Sequence, residues 1–134
     1  MWLRWLMVII LIGHGIGHAT GFLNAWTTLP TGFSSAPWIF GGDLTTTSAV
    51  GKAWGLLWLL ALIGFVGAGL GLWFRQPWWL PMASAAAAIS LVAVVPWWNT
   101  VVMGARVGAL VDVAILFLAI FWKSGMEALT AASA

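Results

Sequence analysis

The stretch Val50-GKAWGLLWLLALIGFVGAGLGLW-Phe74 carries one charge, Lys52, near its start and is apolar from there to its end. At about 1.5 Å rise per residue, a helix of this length exceeds a hydrocarbon core about 30 Å thick. An open sheet cannot satisfy its backbone groups in lipid, so the stretch reads as a membrane-spanning helix. Three further apolar segments flank it, from about Trp2 to Leu23, from Trp79 to Trp98 and from Val101 to Trp122. The expected fold is therefore all-α, an integral membrane four-helix antiparallel bundle in which residues 1–134 form a single transmembrane domain. The joins Arg75-Gln76-Pro77-Trp78 and Pro96 to Thr100 are short enough to make consecutive helices antiparallel neighbours. The connection 26–49 is longer and polar, holds Pro30 and Pro37, and ends in Thr45-Thr46-Thr47-Ser48. It is expected to be an ordered outer loop that finishes in an N-cap for the second helix. The tail from Ser124 is short, rich in small residues and expected to fray.

Composition agrees with the segment reading. Hydrophobic residues make up 63% of the chain and charged residues 6%, and the mean hydropathy is +1.04. That leaves too little charge to cover a soluble domain. The net charge is +2, and the basic side chains stand singly rather than in a stripe able to track a phosphate backbone, which excludes nucleic acid as a partner. The lack of cysteine excludes disulfides, thiol redox chemistry and thiolate metal sites. Arg4 followed by an apolar run has the outline of a secretory leader, but His14 and His18 inside that run favour a retained span.

Tryptophan prefers the headgroup level, and this chain has 12. Trp2, Trp5, Trp73, Trp78, Trp79 and Trp122 mark one expected interface, while Trp26, Trp54, Trp97 and Trp98 mark the other. Trp58 lies one turn deeper than Trp54. With Arg4, Arg75 and Lys123 on the cytoplasmic side, the positive-inside rule puts both termini in the cytoplasm. Lys52 and Arg106 then face outward.

Small residues recur at helical spacing, a pattern that permits close approach of helices in lipid. Gly13, Gly17 and Gly21 form a stripe on the first segment, and Gly104 with Gly108 leads into Asp112 on the fourth. The two stripes are expected to pack against each other or against a second copy of the chain.

His14 and His18 lie four residues apart and hence on one helix face. At 1.5 Å per residue His14 lies about 2 Å to the outer side of the midplane and Asp112 about 1 Å to the inner. A lone carboxylate there costs on the order of 2.5 to 3.5 kcal/mol, so Asp112 should turn inward and find a donor, with His14 the best candidate. His18 and Arg106 form a second polar level about 8 Å to the outer side. The candidate polar cluster is therefore His14, His18, Asp112 and Arg106. Three uses suit it: hydrogen bonds that fix helix register, proton or small-molecule handling, or a metal held by His14 and His18. No HExxH is present, and a bis-histidine haem would need a dimer because both rings lie on one face. No cofactor is firmly implied.

The string His14-Gly15-Ile16-Gly17-His18-Ala19-Thr20-Gly21-Phe22 has the form H-G-x-x-H-x-x-G-F. Together with Trp54-Gly55-Leu56-Leu57-Trp58 and Gly108-Ala109-Leu110-Val111-Asp112, it resembles a family of small four-helix bacterial membrane proteins without an assigned activity. Members often have Asn where this chain has Asp112. A looser resemblance, in architecture alone, is to DoxX-like proteins. Both imply four spans, and neither implies a reaction. The expected role is an accessory or structural subunit whose partners are the lipid bilayer, other membrane subunits or itself. The alternative is a small-molecule, proton or metal/haem-handling protein that uses the mid-depth His/Asp cluster.

Overall fold

A computed structural model describes residues 2–131. It contains α1 (Trp2–Gly17), α2 (Ala19–Trp26), α3 (Ala49–Trp73), α4 (Trp79–Val94), α5 (Met103–Phe121) and α6 (Lys123–Glu127), and no strand among the described residues. Short 3-10 turns follow α4 at Val95–Trp97 and α6 at Ala128–Thr130. Four stretches are long and apolar enough to cross a membrane: Trp2–Trp26, Ala49–Trp73, Trp79–Trp97 and Met103–Phe121. The first continues to Trp26 rather than stopping at Leu23. The last begins at Met103 because the amides of Thr100 and Val101 close a turn on the Trp97 carbonyl at 2.8 and 3.0 Å.

The helices pack largely in chain order, α1 and α2 on α3, α3 on α4, and α4 on α5. Glycines on α3 make this possible. A Cβ on Gly64 would stand 2.8 Å from the Ala86 methyl, and one on Gly69 would stand 2.6 Å from Ile12. Any larger residue would push α4 or α1 away. Val8, Leu11, Phe65, Leu72, Trp79 and Ile115 form one core, and Trp58, Val94, Trp97, Val101 and Ala109 form a second. Trp79 and Trp97 are thus buried rather than set at an interface: Trp79 opens α4 within the first core, and Trp97, in the 3-10 turn after α4, lies within the second. Trp2, Trp26, Trp73, Trp78, Trp98 and Trp122 are exposed.

The connection 27–48 is ordered, as its composition suggests. Ser48 caps α3 by accepting a hydrogen bond from the Gly51 amide at 3.1 Å. The Ser34 amide donates to the Thr100 carbonyl at 2.9 Å, the Thr100 hydroxyl to the Ala36 carbonyl at 2.9 Å, and the Ile39 amide to the Pro96 carbonyl at 2.9 Å. The loop therefore lies on the turn between α4 and α5. The expectation of a frayed tail is corrected as far as residue 131, since α6 folds back and buries Met126 in the first core; residues 132–134 lie outside the described part.

Candidate functional site

The site begins with an irregularity at His18. Its amide bonds to the Gly15 carbonyl at 3.0 Å, three residues back instead of four, so the rod tightens between α1 and α2. This frees the His14 carbonyl, which accepts a hydrogen bond from Nδ1 of the His18 ring at 2.9 Å. A carbonyl only accepts, so the proton on Nδ1 is fixed. His18 is 3% exposed, packed between Trp58 and Phe65 with ring centroids at 5.5 and 5.4 Å.

Nε2 of His18 then meets Ser90 Oγ at 2.6 Å, and the Ser90 hydroxyl meets Asp112 Oδ2 at 2.5 Å. The other carboxyl oxygen, Oδ1, lies 2.7 Å from Nε2 of His14. Ser90 and Asp112 are both 0% exposed. Three separate helical rods, α1, α4 and α5, thereby join in one hydrogen-bonded chain that runs His14–Asp112–Ser90–His18. The expected pairing of His14 with Asp112 is present.

Arg106 stands apart from this chain. Its Nε donates to the Trp98 carbonyl at 3.2 Å, and its guanidinium sits 5.8 Å from the Trp98 ring centroid. The grouping of Arg106 with His14, His18 and Asp112 is corrected accordingly: the cation reaches back toward the helix end, where charge is more easily hydrated. Ser90 was absent from the expected cluster. In the sequence it follows a run of small residues and carries no mark that separates it from a packing serine.

The glycines also differ from expectation. Gly13, Gly17 and Gly104 have no atom within 4 Å of where a Cβ would lie, so they do not pack α1 against α5. Gly21 packs instead against the Trp58 ring, and Gly108 meets His14 Cε1 at 3.0 Å from the position of its would-be Cβ. In place of the expected contact there is a cavity of about 320 Å³ between the first and last long helices. Gly13, Gly17, Gly104 and Gly108 form its small-residue walls, Trp58 and Val94 supply apolar surface, and His14, His18 and Ser90 give it a polar floor.

His14 is the residue through which the chain meets this space. With Nε2 engaged by Asp112, Nδ1 has no hydrogen-bond partner among the described residues and is not a sealed atom. The side chain is 12% exposed and lines the cavity. A carboxylate behind an imidazole fixes its tautomer and leaves the far nitrogen as a base or ligand. His14, His18 and Asp112 could bring one ligand atom each within 4.8 Å of one another. A metal held by all three would have to displace the Ser90 hydroxyl from Nε2 of His18, whose other nitrogen is held by the His14 carbonyl, whereas Nδ1 of His14 is open as it stands. The geometry therefore favours a protonatable or hydrogen-bonding ligand over a chelated ion.

Comparison of the chain with protein-family models, with curated proteins and with solved structures finds no match to any of them.

Proposed function

We propose that this chain is an antiparallel four-helix bundle in a bacterial inner membrane that binds a small, largely apolar molecule with an O–H or N–H donor in the cavity between α1 and α5. The observation that carries the reading is the unpartnered Nδ1 of His14, a side chain held from behind by the buried Asp112 and lining a cavity with glycine walls that admit a guest. A volume of about 320 Å³ falls at the lower end of the range for small-molecule sites, about 300 to 1,000 Å³. An apolar lining with a few convergent polar groups is what such sites use for orientation. In lipid, a polar network of this kind is costly unless it serves a purpose or is fully paired, and His14 leaves one nitrogen unpaired.

The role of accessory subunit finds less support. It rests on the glycine stripes and the tryptophans as surfaces for a partner chain; Gly13, Gly17 and Gly104 have no neighbour within the chain at their Cβ positions and line the cavity.

The test uses 4-nitrophenol, an apolar ring with one acidic hydroxyl, and protein reconstituted in nanodiscs. Binding above the level of empty nanodiscs should saturate at one molecule per chain, fall at least tenfold in His14→Leu, and persist in Arg106→Gln. Equal binding by wild type and His14→Leu would overturn the proposal.

A further inference from the structure

The four hydrogen bonds of the buried chain can be counted against the protons available to fill them. They join His14 Nε2 to Asp112 Oδ1, Asp112 Oδ2 to Ser90 Oγ, Ser90 Oγ to His18 Nε2, and His18 Nδ1 to the His14 carbonyl. Each needs one proton between its heavy atoms. A neutral His14 supplies one, the Ser90 hydroxyl one, and a neutral His18 one, which the His14 carbonyl has already claimed on Nδ1. With Asp112 as a carboxylate, the sum falls one short. Ser90 Oγ would then donate to Asp112 and face a bare His18 Nε2 across 2.6 Å, or donate to His18 and face a bare carboxylate oxygen across 2.5 Å. Two lone pairs at such distances repel.

We infer that the network holds one further proton, shared between Asp112 and His18, and that Ser90 is the conduit through which it moves. In one arrangement Asp112 Oδ2–H donates to Ser90, and Ser90 donates to a neutral His18 Nε2. In the other, His18 carries both ring protons, its Nε2–H donates to Ser90, and Ser90 donates to the Asp112 carboxylate. Transfer of two protons, one on each side of Oγ, converts the first into the second with every bond kept and the net charge of the network at zero. Burial of Ser90 and Asp112 favours the neutral total.

The same wiring reaches the cavity. A proton delivered to Nδ1 of His14 releases Nε2–H to Asp112 Oδ1, which sends the proton on Oδ2 to Ser90, and Ser90 gives its own to His18 Nε2. His14 ends neutral with its proton on the cavity side, Asp112 stays protonated on the other oxygen, and the charge rests on His18. No other described charge faces this path: His14 and Asp112 are the charged or titratable groups that act on His18, Phe65 and Trp58 close it on the α3 side, and Arg106 is turned to Trp98. The proton count is independent of what enters the cavity, whereas proton delivery by a guest rests on the binding reading above.

Nitrogen-15 NMR of histidine-labelled protein in nanodiscs, with infrared spectra of the carboxyl stretch, tests the count. His18 should have a protonated Nδ1 in every state. Either its Nε2 is also protonated, or a protonated-carboxyl band is present that Asp112→Asn removes and Asp43→Asn leaves. A His18 with bare Nε2 together with an ionised Asp112 overturns the inference, and this reading needs only the wild-type chain. The conduit is tested by a step in pH, with 4-nitrophenol as a second trigger. In wild type the His14 and His18 resonances should respond together. In Ser90→Ala only His14 should respond, and Ser90→Thr should restore His18. A His18 response in Ser90→Ala equal to that of wild type overturns the conduit. If the pH step behaves as expected but 4-nitrophenol moves neither ring, the binding reading fails and the network inference stands.

Discussion

Asp112 has a donor or hydroxyl on each oxygen and no exposure, so its removal strands partners rather than merely deleting a contact. Asp112→Leu should lower stability by about 3 to 5 kcal/mol, the usual result of breaking a buried ionic or hydrogen-bonded group on one side only. Asp112→Asn keeps one acceptor and should lose less than half as much. Thermal unfolding in detergent, compared across the two variants, checks both values, and equal stability for wild type and Asp112→Leu would remove the network from any structural role. Of these residues, the sequence made His14 and Asp112 legible, because helix rise alone places them level. Ser90 was not legible: an isolated hydroxyl beside Ala83, Ala86 and Ala87 has the same signature as a small residue used for close packing, and only the rotation of α4 turns it toward the carboxyl. Arg106 was misplaced for the converse reason, since depth arithmetic ignores the length of a side chain that reaches Trp98.

Between α1 and α2 the helix changes pitch for one residue, and His18 fills the broken backbone bond with its own ring. The glycines on either side divide accordingly. Gly21 touches the Trp58 ring, while Gly17 faces open space. Gly21→Ala should therefore destabilise by about 1 to 3 kcal/mol through overpacking, whereas Gly17→Ala should be neutral or stabilise by up to about 1 kcal/mol. The measurement is again unfolding in detergent, and similar losses for both would return the Gly17 stripe to a packing role. Gly17→Leu should leave the fold intact yet reduce 4-nitrophenol binding at least fivefold, because the added side chain occupies the cavity. The lengths of the helical elements and the Ser48 cap could be read from apolar runs and turn residues. The facing of each glycine could not, since α3 and α4 are apolar around nearly their whole circumference and carry no polar face to fix their rotation.

At the scale of the whole molecule, the exposed surface is dominated by residues such as Leu3, Ile9, Ile63, Val92, Leu110 and Phe117, distributed over all four long rods. Such a surface suits lipid, and it is the basis for the proposed insertion. The chain has no cysteine, so single cysteines report topology without background. With both termini cytoplasmic, Thr47→Cys should react with an impermeant maleimide added outside intact cells, and Gln76→Cys should react only after permeabilisation; the reverse pattern would invert the orientation. Within the bundle the two histidines differ in one nitrogen atom: Nδ1 of His14, on a side chain that lines the cavity, is unpartnered and not sealed, while both nitrogens of His18 are engaged. Diethyl pyrocarbonate, which acylates reachable unprotonated imidazole nitrogens, tests this directly when the modified protein is digested and the peptides are weighed. One carbethoxy group is expected on His14, none on His18, with slower modification of His14 when 4-nitrophenol is present; modification of His18 as fast as His14, or of neither ring, would overturn this assignment.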